Sequence, residues 1–237
     1  MVGGDAERQA ARIIDAQGLH VAPGFIDPHT HSDFPLLVDP SAQSKIRQGV
    51  TTEVIGNCGF SPAPVLGAAA QEVATRATER DLDVAWQSMG DYLDRLQQSG
   101  MALNVVPLVG HNTVRGAVLG YDDIQPTPEQ QASMERVVEQ AMEEGARGLS
   151  SGLFYPPGYY ARPEEVIGLA KAAARHDGIY TTHLRSETDL LLSAILEAIE
   201  VGEKASIRVE IAHVKIEGYR NWPTIKDLVA CLDGIQA

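Results

Sequence analysis

The sequence predicts an α/β fold, a parallel (β/α)8 barrel of the TIM type reduced to about six of its eight strand–helix units. Three observations predict it. Strand-like and helix-like segments alternate six times, an order that belongs to parallel strands joined by right-handed crossovers. The first strand ends in His-Thr-His, and neither G-x-G-x-x-G nor G-x-x-x-x-G-K-[ST] occurs in the chain. An open doubly wound nucleotide binder would show such a phosphate turn after its first strand. Finally, five of the seven histidines fall at strand ends, and the strand C-termini of a barrel share one face.

The elements follow in order. "HVAPGFIDPHTH" is an apolar run with polar residues at its end, the first strand. "SAQSKIRQGV" follows as a helix with Gly49 as its stop. "TTEVIGNCG" is β-branched and apolar, the second strand, and "SMGDYLDRLQQSG" is a helix ending on Gly100. "LNVVPLVGH" is the third strand. In "PTPEQQASMERVVEQAMEEG" Thr127 serves as N-cap, Pro128 sits at the first helical position and Gly145 terminates the helix. "ARGLSSGLFY" is the fourth strand, and "RPEEVIGLAKAAARHDG" the next helix, stopped by Gly178. "IYTTHLR", "DLLLSAILEAIEVGEKA" and "IRVEIAHVK" read as strand, helix and sixth strand, and "WPTIKDLVACLDGI" as a last helix. Although 237 residues come close to the roughly 250 of a complete barrel, the six strands already occupy Val21 to Lys215. Two units are therefore expected from a longer parent or from a partner chain, the remaining alternative being a fold closed in another way. The oligomeric state is not legible.

Composition narrows the function. The chain has 44% hydrophobic residues, 19 Lys+Arg against 32 Asp+Glu, and a net charge of −13. That balance, without a basic run, speaks against nucleic-acid and anionic-membrane partners and leaves a small molecule as the expected one. The stretch "MVGGDAERQAARIIDAQG" has no apolar core of a signal peptide, and no segment reaches the roughly 18 apolar residues of a membrane span. Cys58 and Cys231 are the two cysteines, too few for a disulfide scaffold. A cytoplasmic protein is expected, with Cys231 in the apolar pattern of the last helix as a core residue.

The chemistry sits on the rim. His29 and His31 are two apart, and residues i and i+2 of a strand point the same way. Cys58 ends the second strand, His111 the third, His183 lies on the fifth, and His213 with Lys215 on the sixth; the fourth runs into Tyr155. Imidazole nitrogen and thiolate sulfur are ligands that zinc favours, and a thiolate can bridge two ions. Any one of these residues alone reads more readily as a buried structural side chain, but four histidines and a cysteine at four strand ends read as a metal site. His111, in "GHNTVR", is either a substrate-facing residue or a hydrogen-bonded loop anchor.

These motifs resemble the amidohydrolase superfamily, in which "PGFIDPHTH" is the first-strand signature. The closer resemblance is to the D-aminoacylase (N-acyl-D-amino-acid deacylase) family. "QGVTTEVIGNCGFSPAPV", "GARGLSSGLFYPPGYYARPEEVIGLAKAA", "YTTHLRSE" and "EIAHVKIEG" look like blocks of that family in the same order. The resemblance implies a zinc-dependent metal hydrolase barrel in residues 23–237, with residues 1–22 a remnant of a β-sandwich. It implies one tight zinc on Cys58, His183 and His213 and a weaker second site facing His29 and His31. Cys58 would stand in for the carbamylated fourth-strand lysine of other binuclear amidohydrolases, which "ARGLSSGLFY" lacks. Tyr155 would stabilise the oxyanion, and Lys215, expected among the catalytic residues, and Arg185 would contact the substrate carboxylate or support the metal ligands; His111 stays a substrate-binding candidate on its rim position alone. The implied reaction cleaves an N-acyl-D-amino acid into a carboxylate and a free D-amino acid. The family's general base is an aspartate ending the eighth strand, which this chain does not reach; Asp227 and Asp233 do not match that position. Two rivals remain at this stage. One is a cyclic-amide hydrolase of the dihydroorotase or hydantoinase kind, which would need the missing lysine. The other is a metal-binding chain that is catalytically silent without the eighth-strand aspartate.

Overall fold

The computed structural model describes residues 14–235. Its strands are β1 (Phe25–Asp27), β2 (Val50–Ile55), β3 (Asn104–Pro107), β4 (Val109–Gly110), β5 (Gly148–Gly152), β6 (Ile179–His183) and β7 (Arg208–Ile211). They form two sheets, β1-β2-β3 and β4-β5-β6-β7, and every pairing is parallel. The sheets are two halves of one series. Leu108, between β3 and β4, still donates its N–H to Ile55 O (2.9 Å), while Pro107 O accepts from Arg147 N (2.8 Å). The expected third strand is thus a single run, bonded first to β2 and then to β5. Six strand positions result, as the sequence predicts, with β1 and β7 at the outer edges.

The helices are α1 (Pro35–Val38), α2 (Gln43–Ile46), α3 (Ala69–Thr78), α4 (Met89–Gln98), α5 (His111–Val118), α6 (Pro128–Glu143), α7 (Pro163–Ala174), α8 (Leu191–Ala205) and α9 (Ile225–Ile235). The α6 boundaries follow from local chemistry. Thr127 Oγ1 accepts from Gln130 N and Gln130 Oε1 accepts from Thr127 N, a reciprocal cap, and Gly145 adopts φ +119° just beyond the end. The helix expected over "SAQSKIRQGV" shrinks to the single turn of α2. Three helices exceed the sequence reading, the first being the single turn of α1. α3 buries only Ala69, Val73 and Ala77, a stripe of small residues with little apolar contrast. α5 starts at His111, where a loop was expected.

β5 reads Gly-Leu-Ser-Ser-Gly and is buried throughout, as befits a parallel strand covered on both faces. The main core gathers Met134, Val138, Leu149, Val166, Leu169 and Tyr180 between α6, α7 and the sheet, all fully buried; each such side chain is worth about 1.5–3 kcal/mol of burial. A second cluster, Leu184, Leu191, Ile195 and Leu228, joins α8 to α9, and Cys231 packs against it partly buried. Of the expected β-sandwich segment, residues 1–13 lie outside the described residues, and residues 14–22 carry a turn and no strand.

Candidate metal centre

Two strand exits are stitched together first. Thr30, buried between His29 and His31, donates from its N–H (3.1 Å) and its hydroxyl (2.8 Å) to Val54 O on β2. Asn57, fully buried, donates Nδ2 to Thr30 O (3.2 Å) and Val54 O (2.9 Å). With Thr30 turned inward, its two histidine neighbours turn together toward the turn that carries Cys58. That turn runs through φ +78° at Gly56, +54° at Cys58 and +80° at Gly59. Cys58 is a non-glycine residue in the left-handed region, and so is His213 at φ +37°; such conformations cost on the order of 1–3 kcal/mol and concentrate at functional sites. Gly152 on β5 passes so close that a Cβ there would lie 2.1 Å from Cys58 O.

The side chains converge on the sulfur. Cys58 Sγ lies 3.3 Å from His29 Nε2, 3.7 Å from His183 Nδ1 and 3.8 Å from His213 Nε2. The ligand atoms of His29, His31 and Cys58 lie within 4.8 Å of one another, and so do those of Cys58, His183 and His213. A tetrahedral zinc with Zn–S of about 2.3 Å and Zn–N of about 2.0–2.1 Å separates its S and N ligands by about 3.6 Å. The Cys58, His183 and His213 spacings match that value. Cys58 belongs to both groups, so one sulfur can face two ions, and three protein ligands leave a position open, as in catalytic rather than structural zinc sites.

The electrostatics suit a cation. Burial, with help from the neighbouring His213 and His31, pulls the His29 imidazole down to about 4. Burial also takes His183 to about 4, with Glu187 opposing the shift and His213 adding to it. His31 is lowered by burial and by the charge of Arg76. These imidazoles are therefore neutral at pH 7 and offer lone pairs. Burial, reinforced by Glu187, pushes the Cys58 thiol up to about 11; a bound dication would displace that proton.

The remaining expected residues divide. Tyr155 stands beside the centre, its ring 4.8 Å from that of His183, and Asn112 Nδ2 holds its carbonyl (3.2 Å). Lys215 ion-pairs with the buried Glu187 while half exposed. That pair occupies the ammonium expected to serve catalysis or the substrate. His111 does not reach the rim surface. It is fully buried, and its Nε2–H donates to Glu165 Oε1 (2.8 Å) beside the Arg115 ion pair with the same carboxylate. The loop-anchor alternative is the one realised, within α5. Arg185 is likewise not free for a substrate carboxylate. Its guanidinium grips Glu197 (2.7 and 2.8 Å) and the carbonyls of Tyr159 and Ala161 (2.9 Å each), which ties α8 to the loop after Tyr155. The sequence reading missed Glu187, which lies 3.0 Å from His213 Nδ1; four residues after His183 in "YTTHLRSE", it was visible only as a polar loop residue. A cavity of about 360 Å³ opens at His31, walled by Phe60, Arg76 and Tyr121.

A parallel strand array whose C-terminal ends gather four histidines around one cysteine is the arrangement of an α/β barrel with a metal-binding rim. The chain belongs to the amidohydrolase family, whose profile matches residues 12–222. A D-aminoacylase of Alcaligenes xylosoxydans xylosoxydans is 38% identical over 235 residues, which cover 99% of this chain and 48% of that protein. A D-aminoacylase structure with a binuclear metal centre superposes with a TM-score of 0.80 at 34% identity, over 90% of this chain and 44% of the other. The N-acyl-D-glutamate deacylase of Bordetella bronchiseptica, solved with zinc and a phosphonate mimic of the tetrahedral intermediate, gives 0.79 at 33% identity, over 90% and 45%. The chain thus spans about half the length of the relatives it matches.

Proposed function

We propose that this chain is the metal-holding part of a zinc-dependent amidohydrolase that cleaves N-acyl-D-amino acids into a carboxylate and a free D-amino acid. The observation that carries the proposal is the double membership of Cys58 in two three-ligand groups, on a barrel whose β5 has no lysine to take a bridging role. The relatives that share this architecture are D-aminoacylases and a D-glutamate deacylase. In our reading Cys58, His183 and His213 hold the tighter ion, and His29 and His31 with Cys58 face a second, weaker one. The metal would supply Lewis acidity toward the amide carbonyl and lower the pKa of water. Tyr155 directs its hydroxyl at the developing oxyanion, a donation worth about 3 kcal/mol when well aimed. Lys215, half exposed at the rim, is held by Glu187, and in this reading it compensates that buried carboxylate beside the metal ligands.

The general-base carboxylate implied by the family is not among the described residues; Asp227 and Asp233 lie on α9. Turnover by this reading needs the two strand–helix units that complete the barrel. Residues 1–22 are proposed as the lead-in from a β-sandwich. The cytoplasm is the proposed compartment, since Cys58 and Cys231 are both free thiols and a thiolate ligand persists best where thiols stay reduced. The cyclic-amide alternative has no lysine on β5 to support it.

The test is to measure zinc per chain by elemental analysis, then hydrolysis of N-acetyl-D- and N-acetyl-L-amino acids and of a hydantoin, with the completing units joined to the chain. About one firmly held zinc and release of D-amino acids alone are expected. Activity confined to L-isomers or to cyclic substrates would overturn the assignment.

A further inference from the structure

Glu187 sits in the loop between β6 and α8 and is 4% exposed. Its carboxylate stands behind both histidines of the proposed tighter site. Oε1 is 3.0 Å from His213 Nδ1, and Oε2 is 3.8 Å from His183 Nε2. The two rings meet the sulfur through opposite nitrogens. His213 presents Nε2 to Cys58 Sγ, and His183 presents Nδ1. The nitrogen left over on each ring is the one that faces Glu187.

We infer that Glu187 is a positioning residue that sets two opposite tautomers at once: the proton on Nδ1 of His213 and the proton on Nε2 of His183, so that each ring turns its bare nitrogen toward the sulfur. This rests on the metal reading given above. An ionised carboxylate has only acceptor sites, so a neutral imidazole nitrogen facing it carries the proton, and the opposite nitrogen keeps its lone pair. The hold on His213 is a hydrogen bond. The hold on His183, at 3.8 Å, is longer than a hydrogen bond and acts through charge. The backbone of Glu187 is anchored by Glu217 N donating to its carbonyl (2.8 Å).

Lys215 adds a competing contact. Its ammonium lies 3.4 Å from His213 Nδ1, and a donor there would ask for the opposite tautomer. The shorter contact to Glu187 decides against that, and the ammonium is already engaged by Glu187 Oε2. Lys215 thus compensates the buried carboxylate, and its direct contact with His213 is the weaker of the two at Nδ1.

The test begins with the metal-free chain labelled with 15N, whose histidine ring nitrogens report their protons directly by NMR. The parent is expected to show Nδ1–H on His213 and Nε2–H on His183. Glu187→Gln keeps an acceptor oxygen but no charge, so His213 should keep its tautomer while His183 loses its preference; Glu187→Ala should release both. Zinc affinity by chelator competition should fall about 10–100-fold in both variants, and Glu187→Asp should recover part of it. If Glu187→Ala fails to fold by circular dichroism, the Gln variant carries the test. An Nε2–H proton on His213 in the parent, or tautomers and zinc affinity unmoved within threefold in the variants, would overturn the inference while leaving the metal site standing. A parent with the stated tautomers but no zinc affinity would instead sink the metal reading alone.

Discussion

Replacing Gly152 by alanine tests the centre from a strand that supplies none of the ligands. Gly152 ends β5, pairs with His183 on β6, and faces the turn that presents Cys58. A Cβ at this position would lie 2.1 Å from Cys58 O, 2.8 Å from Cys58 C and 3.2 Å from Tyr155 Cδ2. An ordinary carbon–oxygen contact needs about 1 Å more than the first of these, so either β5 or the Cys58 turn must give way by about that much. β5 is locked in its ladder, and the turn yields. Metal–ligand distances tolerate only about 0.2 Å, so the sulfur leaves its position opposite His183 and His213. Overpacking of this kind costs about 1–3 kcal/mol, which corresponds to a loss of zinc affinity of roughly tenfold to a hundredfold. The assay is competition for zinc against a chromophoric chelator, with Gly234→Ala as the control, because a Cβ there meets nothing within 4 Å. If Gly152→Ala holds zinc as firmly as the parent, within threefold, the close approach of β5 does not position Cys58 and the reasoning fails.

Other outcomes follow from the same geometry. Zinc uptake by the metal-free chain should release one proton, from Cys58, because burial holds the thiol up at about 11 while the buried His29 and His183 stay neutral above about 4. Between about pH 6 and 9, affinity should therefore fall about tenfold per unit of acidification, and calorimetry in buffers of different ionisation heat counts the proton; zero or two would contradict this. Arg115→Met leaves Glu165 buried beside His111 without its main counter-charge, so urea denaturation should register a loss of about 3–5 kcal/mol, and a loss under 1 kcal/mol would show the pair to be dispensable. With the barrel completed, Tyr155→Phe should lower kcat about 10²- to 10³-fold at unchanged zinc content; an unchanged kcat would remove Tyr155 from the mechanism.

The rim was legible because strand periodicity is short-ranged. Two histidines flanking one inward threonine, and a cysteine just past a β-branched run, announce their directions within a few residues, as do the Thr127 cap and its Pro128. What stayed hidden depends on partners far along the chain. Arg185 reads as a free cation until Glu197, on the following helix, closes around it. His111 reads as one more rim histidine until Glu165 on α7 claims it. Glu187 looked like loop solvent exposure, and α3 is invisible to hydrophobic periodicity because its buried stripe is mostly alanine.

The interruption at Leu108 has a mechanical meaning. His29, His31 and Cys58 issue from β1 and β2 on one side of that seam, and His183 and His213 from β6 and β7 on the other. An ion held by Cys58, His183 and His213 is therefore a clasp across the two half-sheets, closing spans of 125 and 155 residues. Whatever binds the folded state alone adds its binding energy to that state. Stripping the metal should then do more than silence chemistry: it should let the two halves of the arc breathe against each other, with hydrogen exchange rising first along the strand that joins them.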